Sequence, residues 1–122
     1  MRSFNSLKEI SQETLSKILK TYAIVNPDLD YCQGMNFIAG FLYLSLDKEE
    51  ALAWAVMREI IERYSISNLF NIDLPMLKLM FYQLDRLISI HLPDLHNHFK
   101  DETINSSYFS SPFFITIFTS IM

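Results

Sequence analysis

Apolar residues recur at three- and four-residue spacing along most of the chain, and that period commits it to helices. From Ser11, the residues Leu15, Ile18, Leu19, Tyr22 and Ile24 form one face, relieved by Thr14 and Lys17. This helix is predicted to stop near Asn26-Pro27, because proline cannot extend a helical ladder and disfavours helical geometry in the residue before it. Phe37, Ile38, Phe41, Leu42, Leu44 and Leu46 then cover nearly every side of a second helix, the pattern of a buried one. Asp47 is predicted to open a third, with Glu50 closing a capping box, and Ala51, Trp54, Ala55, Met57, Arg58 and Ile61 make its amphipathic body up to Tyr64. After a turn through Ser65 to Asp73, Pro75 suits a first helical turn and Leu77, Met80, Phe81, Leu84, Leu87 and Ile88 continue as a stripe. Pro93 is expected to open a short helix through Phe99, and Pro112 to open a last one over Phe113 to Met122. Strand signals are scarce, so the expected fold class is all-α, a multi-helix domain.

The chain has 122 residues, enough for one domain with a modest core. Half of the residues are hydrophobic, with two glycines and four prolines, which excludes a disordered or linker-rich chain. A formal net charge of −4 supplies no basic field, so nucleic acid is not an expected partner. The lone cysteine, Cys32, closes no intrachain disulfide. Residues 1–11 lack the continuous apolar core of an export signal. The longest apolar run, Gly34 to Leu46, is broken by Asn36 and Ser45 and falls short of the roughly 18 residues of a spanning helix. No transmembrane segment is expected, and the cytoplasm is the default location. The apolar end from Phe113 to Met122 would leave an uncovered patch, which points to a fragment or to a partner that covers it.

The chemistry candidates cluster in one hexapeptide, Tyr31-Cys32-Gln33-Gly34-Met35-Asn36. Gln33 and Asn36 are amides at the mouth of an apolar helix, where a buried amide without partners costs about 1–3 kcal/mol. A glutamine carries an acceptor and two donors, so it can hold a water at one end and donate to an anionic oxygen with the other. That suits phosphoryl transfer to water, where catalysis is mostly positioning and charge stabilisation. Gly34 permits close approach of another backbone, and Tyr31 packs against Gln33 or a partner. The residues alone leave a plainer reading open, in which the amides satisfy helix-end donors and Tyr31 fills core. Other constellations fall short. His96 and His98, two apart, point to different sides of a helix, no calcium loop has the required order, and Met35, Met57, Met76 and Met80 are expected to plug core gaps. No metal site is expected.

The hexapeptide, preceded by Tyr22 and Asn26-Pro27, closely resembles the glutamine-finger motif of the TBC domain, a Rab GTPase-activating domain. The similarity continues in order through Asp47-Lys48-Glu49-Glu50-Ala51 and Trp54, Phe81 to Leu87, Leu92-Pro93-Asp94-Leu95, and Ser111-Pro112-Phe113-Phe114 with Ile117-Phe118. What it implies is an all-helical domain that accelerates GTP hydrolysis on a Rab with an inserted arginine and glutamine. Gln33 matches the glutamine, with Tyr31, Gly34 and Asn36 framing it toward the partner, while Phe113, Phe114 and Phe118 match a segment expected to be mainly core. GTP and magnesium would be carried by the Rab, leaving this chain without a cofactor of its own and an activator rather than an enzyme with its own substrate.

The family's upstream arginine motif is nearly absent: only Arg2-Ser3-Phe4 resembles its tail, with no aspartate before it. Arg2 is therefore the candidate finger, beside the plainer reading of a solvated terminal arginine. An arginine finger supplies roughly 10³–10⁵ in rate, about 4–7 kcal/mol, which glutamine positioning does not replace. Residues 1–122 are expected to be a single partial domain, short of most of that motif and of C-terminal helices. The resemblance implies a role in vesicle trafficking with recruitment to endomembranes. The alternatives are a catalytically weak Rab-binding or scaffold module, or a truncated gene product.

Overall fold

The computed structural model describes residues 12–28, 34–69 and 73–120. Among them the chain forms six α-helices: α1 (Gln12–Val25), α2 (Met35–Ser45), α3 (Glu50–Arg63), α4 (Pro75–His91), α5 (Pro93–Asp101) and α6 (Ser107–Ile115), with a 3-10 turn at Ile66–Leu69. The all-α expectation holds, and the turn falls inside the segment read as a plain connection.

Helices α1, α2 and α3 pack pairwise against one another, and their buried faces make most of the core. Ile18 and Tyr22 come from α1, Met35, Ile38, Ala39 and Leu42 from α2, and Ala53, Met57 and Ile61 from α3. The mostly apolar α2 is central because most of its side chains are covered, as its sequence requires. Met35 and Met57 fill the core, while Met76 and Met80 pack at its edge. Leu69 and Leu77 carry the core across to the second set, α4 with α5 and α6.

Helix α1 ends where expected: Asn26 donates both its backbone N–H (3.0 Å) and its side-chain Nδ2 (3.3 Å) to the Tyr22 carbonyl just before Pro27. Pro75 and Pro93 open α4 and α5 from the first turn.

Two boundaries differ from the sequence expectation. Helix α3 starts at Glu50, not Asp47. Asp47 is already in use: it sits left-handed (φ 52°) just past the end of α2, and the Lys48 N–H reaches back to the Tyr43 carbonyl at 2.9 Å, the Schellman closure. Glu50 makes no capping box and instead faces α1, 3.8 Å from Lys17 Nζ and 3.4 Å from Thr14 Oγ1.

The last helix begins at Ser107, so Pro112 lies inside it rather than opening it, and the helix ends at Ile115. Asn105 Oδ1 accepts from the Ser107 N–H at 2.9 Å and starts the helix ahead of the proline. The carbonyl that Pro112 leaves without its usual donor belongs to Tyr108, an exposed residue.

The apolar stripe of α4 is only partly covered. Leu77 is buried and Met80 and Phe81 pack on the core, but Leu87 is 54% exposed. Phe114 packs on the core and lies 6.1 Å from the Phe81 ring, whereas Phe118, expected in the core, is 42% exposed. Phe118 follows a left-handed Ile117, which turns it back to stack on Phe113 instead.

Candidate functional site

Of the candidate site residues, Gly34 and Asn36 are described; Arg2, Tyr31 and Gln33, like Cys32, lie outside the described residues. The site is therefore built from the mouth of α2. Gly34 is its N-cap, with φ 116° and ψ −25°, a backbone that side-chain-bearing residues rarely adopt. It is buried, and its carbonyl accepts from the Phe37 N–H at 3.0 Å.

What buries it comes from the far end of the chain. A Cβ placed on Gly34 would stand 2.5 Å from Ile115 Cγ2, and 3.5 Å from both the Ile115 carbonyl oxygen and Thr116 Cγ2. The space a side chain would need at Gly34 is taken mainly by a methyl group of Ile115 rather than by another backbone. Thr116 is buried, and its hydroxyl donates to the Pro112 carbonyl at 2.6 Å. Ile115 and Thr116 are the residues that sequence reasoning missed. Periodicity speaks only within an element, and nothing in residues 107–116 names a glycine so far upstream as their neighbour.

Among the described residues, the first turn of α2 has no acidic residue and no side-chain cap. In that turn Met35 points into the core. Asn36 Oδ1 is sealed from solvent and meets no hydrogen-bond donor among the described residues. Among the described residues, the mouth of α2 thus combines a glycine backbone in a left-handed conformation with an acceptor, Asn36 Oδ1, that meets no donor.

Among the described residues, two of the open grooves lie elsewhere. One, about 460 Å³ between α1 and α3, is lined by Lys17, Thr21, Glu50 and Trp54; the other, about 340 Å³ between α4 and α5, by Asp85, His96, Phe99 and Lys100. Neither includes Gly34 or Asn36. Across α3, Arg58 lies 5.8 Å from the Trp54 ring centre and its Nε is 2.8 Å from Glu62, a bond that raises the guanidinium pKa further. Among the described residues, no group of three or more His, Cys, Asp or Glu is placed to hold a metal ion, and no helix is long and apolar enough to cross a membrane.

Comparison with known proteins agrees with the motif. The family model described as the Rab-GTPase-TBC domain matches residues 1–122. The human "Ecotropic viral integration site 5 protein homolog" is 34% identical over 94% of this chain and 14% of its own length. The Saccharomyces cerevisiae "GTPase-activating protein GYP5" is 35% identical over 97% of the chain and 13% of its own length. The Caenorhabditis elegans "Rab GTPase-activating protein eat-17" is 34% identical over 93% and 13%. The chain thus spans about one-seventh of the length of these relatives, and it belongs to the Rab-GTPase-TBC domain family.

Proposed function

We propose that this chain binds a GTP-loaded Rab-family GTPase and stimulates its hydrolysis, with Gln33 orienting the attacking water. The observation that carries the reading is the family match over the whole chain, together with the hexapeptide Tyr31 to Asn36 in the sequence. Two of the three relatives named above bear GTPase-activating names, and both align over the segment that holds Gln33. A backbone fixed at Gly34 suits the task, because positioning a water is worth little unless its holder is itself positioned. A helix N-terminus with no acidic residue in its first turn suits an approach to phosphate.

In this reading Tyr31 faces the partner beside Gln33; Asn36, expected to do the same, has its Oδ1 sealed from solvent and does not present that oxygen to a partner. The nucleotide and its magnesium belong to the Rab. The arginine that stabilises the developing charge is Arg2 or comes from sequence outside these residues. Single-turnover GTP hydrolysis across a Rab panel tests the proposal: stimulation by the wild-type protein that disappears in Gln33→Ala supports it. Rab binding without stimulation would favour the scaffold reading.

A further inference from the structure

We propose that Ile115 and Thr116 are positioning residues for Gln33, acting by seating Gly34; this rests on the glutamine reading above. Gln33 and Gly34 share a rigid peptide bond, so whatever fixes Gly34 fixes the anchor of the glutamine. Gly34 is held on one side by α2, through the Phe37 N–H bonded to its carbonyl; on the other, Ile115 Cγ2 occupies the place a β-carbon would take, with Thr116 Cγ2 3.5 Å from that point.

The seat is itself braced. The Thr116 hydroxyl donates to the Pro112 carbonyl and makes a 3.0 Å contact with the Ser120 hydroxyl. Immediately beyond, Ile117 and Phe118 are both left-handed (φ 50° and 60°), and the Phe118 N–H closes on the Phe113 carbonyl at 2.7 Å. A β-branched residue in that conformation is strained, and such strain persists only where the surroundings over-determine it. Here the stacked Phe113 and Phe118 rings (5.7 Å) and the edge-on Phe114 (6.3 Å from Phe118) supply that restraint. The end of α6 is thus a braced turn whose inner methyl groups meet the one glycine next to Gln33.

Two substitutions at Ile115 separate positioning from packing. Ile115→Val is smaller but keeps both γ carbons, including the one facing Gly34. Ile115→Leu keeps the volume but has a single γ carbon. A packing role makes valine the more damaging change, whereas a positioning role makes leucine so.

The natural full-length protein carrying each variant is assayed by single-turnover hydrolysis on a GTP-loaded Rab that the wild type stimulates. Rab affinity, thermal melting and hydrogen exchange at the Phe37 amide are measured alongside. Ile115→Leu is expected to lower the maximal rate roughly tenfold, within the hundredfold loss that a ~1 Å misplacement can cause, with Rab affinity within about twofold of wild type. It is also expected to speed Phe37 exchange, while Ile115→Val stays near wild type in both. Thr116→Ser, which keeps the hydroxyl on Pro112 and removes Cγ2, is expected to follow leucine and decides the matter if Ile115→Leu does not fold. Equal activity of the Leu and Val variants, or lost activity with unchanged Phe37 exchange, overturns the inference while Gln33→Ala remains inactive. A fully active Gln33→Ala overturns the glutamine reading itself and this inference with it.

Discussion

Two residues show how a single atom decides the packing here. Gly34 holds a positive φ with no room for a β-carbon, so Gly34→Ala meets a backbone penalty of about 1–3 kcal/mol and a clash with Ile115 besides. Urea denaturation should show a loss of about 2 kcal/mol or more; an unchanged midpoint would contradict the seat. Tyr22 is the opposite case, a buried ring whose hydroxyl has no partner among the described residues. Burial raises its phenol pKa above 10, the nearby Glu62 carboxylate adds to the rise, and Arg58 partly offsets it. The folded state therefore prefers the protonated phenol. Its contribution is intact below pH 10, the unfolded value, and is lost as pH rises from there through the folded pKa. Tyr22→Phe should be neutral to stabilising by about 1 kcal/mol, because it deletes an unsatisfied group, and should flatten the decline of stability above about pH 10. Melting curves across that range check both.

At the scale of elements, the shortage of glycine matters most. Helices α2, α5 and α6 all end in Schellman closures whose left-handed residue is Asp47, Thr103 or Ile117, where glycine is usual. This explains what the sequence did and did not reveal. The bodies of α1, α3 and α4 were legible from apolar spacing, and Asn26-Pro27, Pro75 and Pro93 marked their boundaries, because these signals act locally. The Asp47 boundary was misread because a helix-ending residue without glycine looks like a helix-starting cap. Pro112 misled for a related reason: Asn105-Ser106-Ser107 was the better start signal, and the proline is tolerated beside exposed Tyr108. Thr103 is exposed and β-branched in a conformation that costs roughly 1–2 kcal/mol outside glycine. Thr103→Gly should therefore stabilise the protein by about 1 kcal/mol, a rise of a few degrees in melting temperature. A fall in melting temperature would contradict the strain assignment.

For the molecule as a whole, the core belongs mainly to α1, α2 and α3, while α4 and α5 leave Leu79, Tyr82, Leu87, Ile90 and Leu95 exposed. Leu87→Ser should change stability by no more than about 0.5 kcal/mol and reduce light scattering by the isolated chain. A large loss of stability would show that the stripe is covered after all. The candidate site was legible as a motif but not as a place. Its hexapeptide could be picked out from residue chemistry and resemblance, yet the contact that holds Gly34 joins the second helix to the last, and no local pattern encodes such a pairing. The proposed activity turns on the side chain next to that glycine. Single-turnover GTP hydrolysis on a panel of Rab proteins, comparing wild type with Gln33→Ala, measures it directly. The prediction is stimulation of at least one Rab that falls by roughly 10²-fold or more in the variant with Rab binding retained; equal stimulation by both proteins would contradict it.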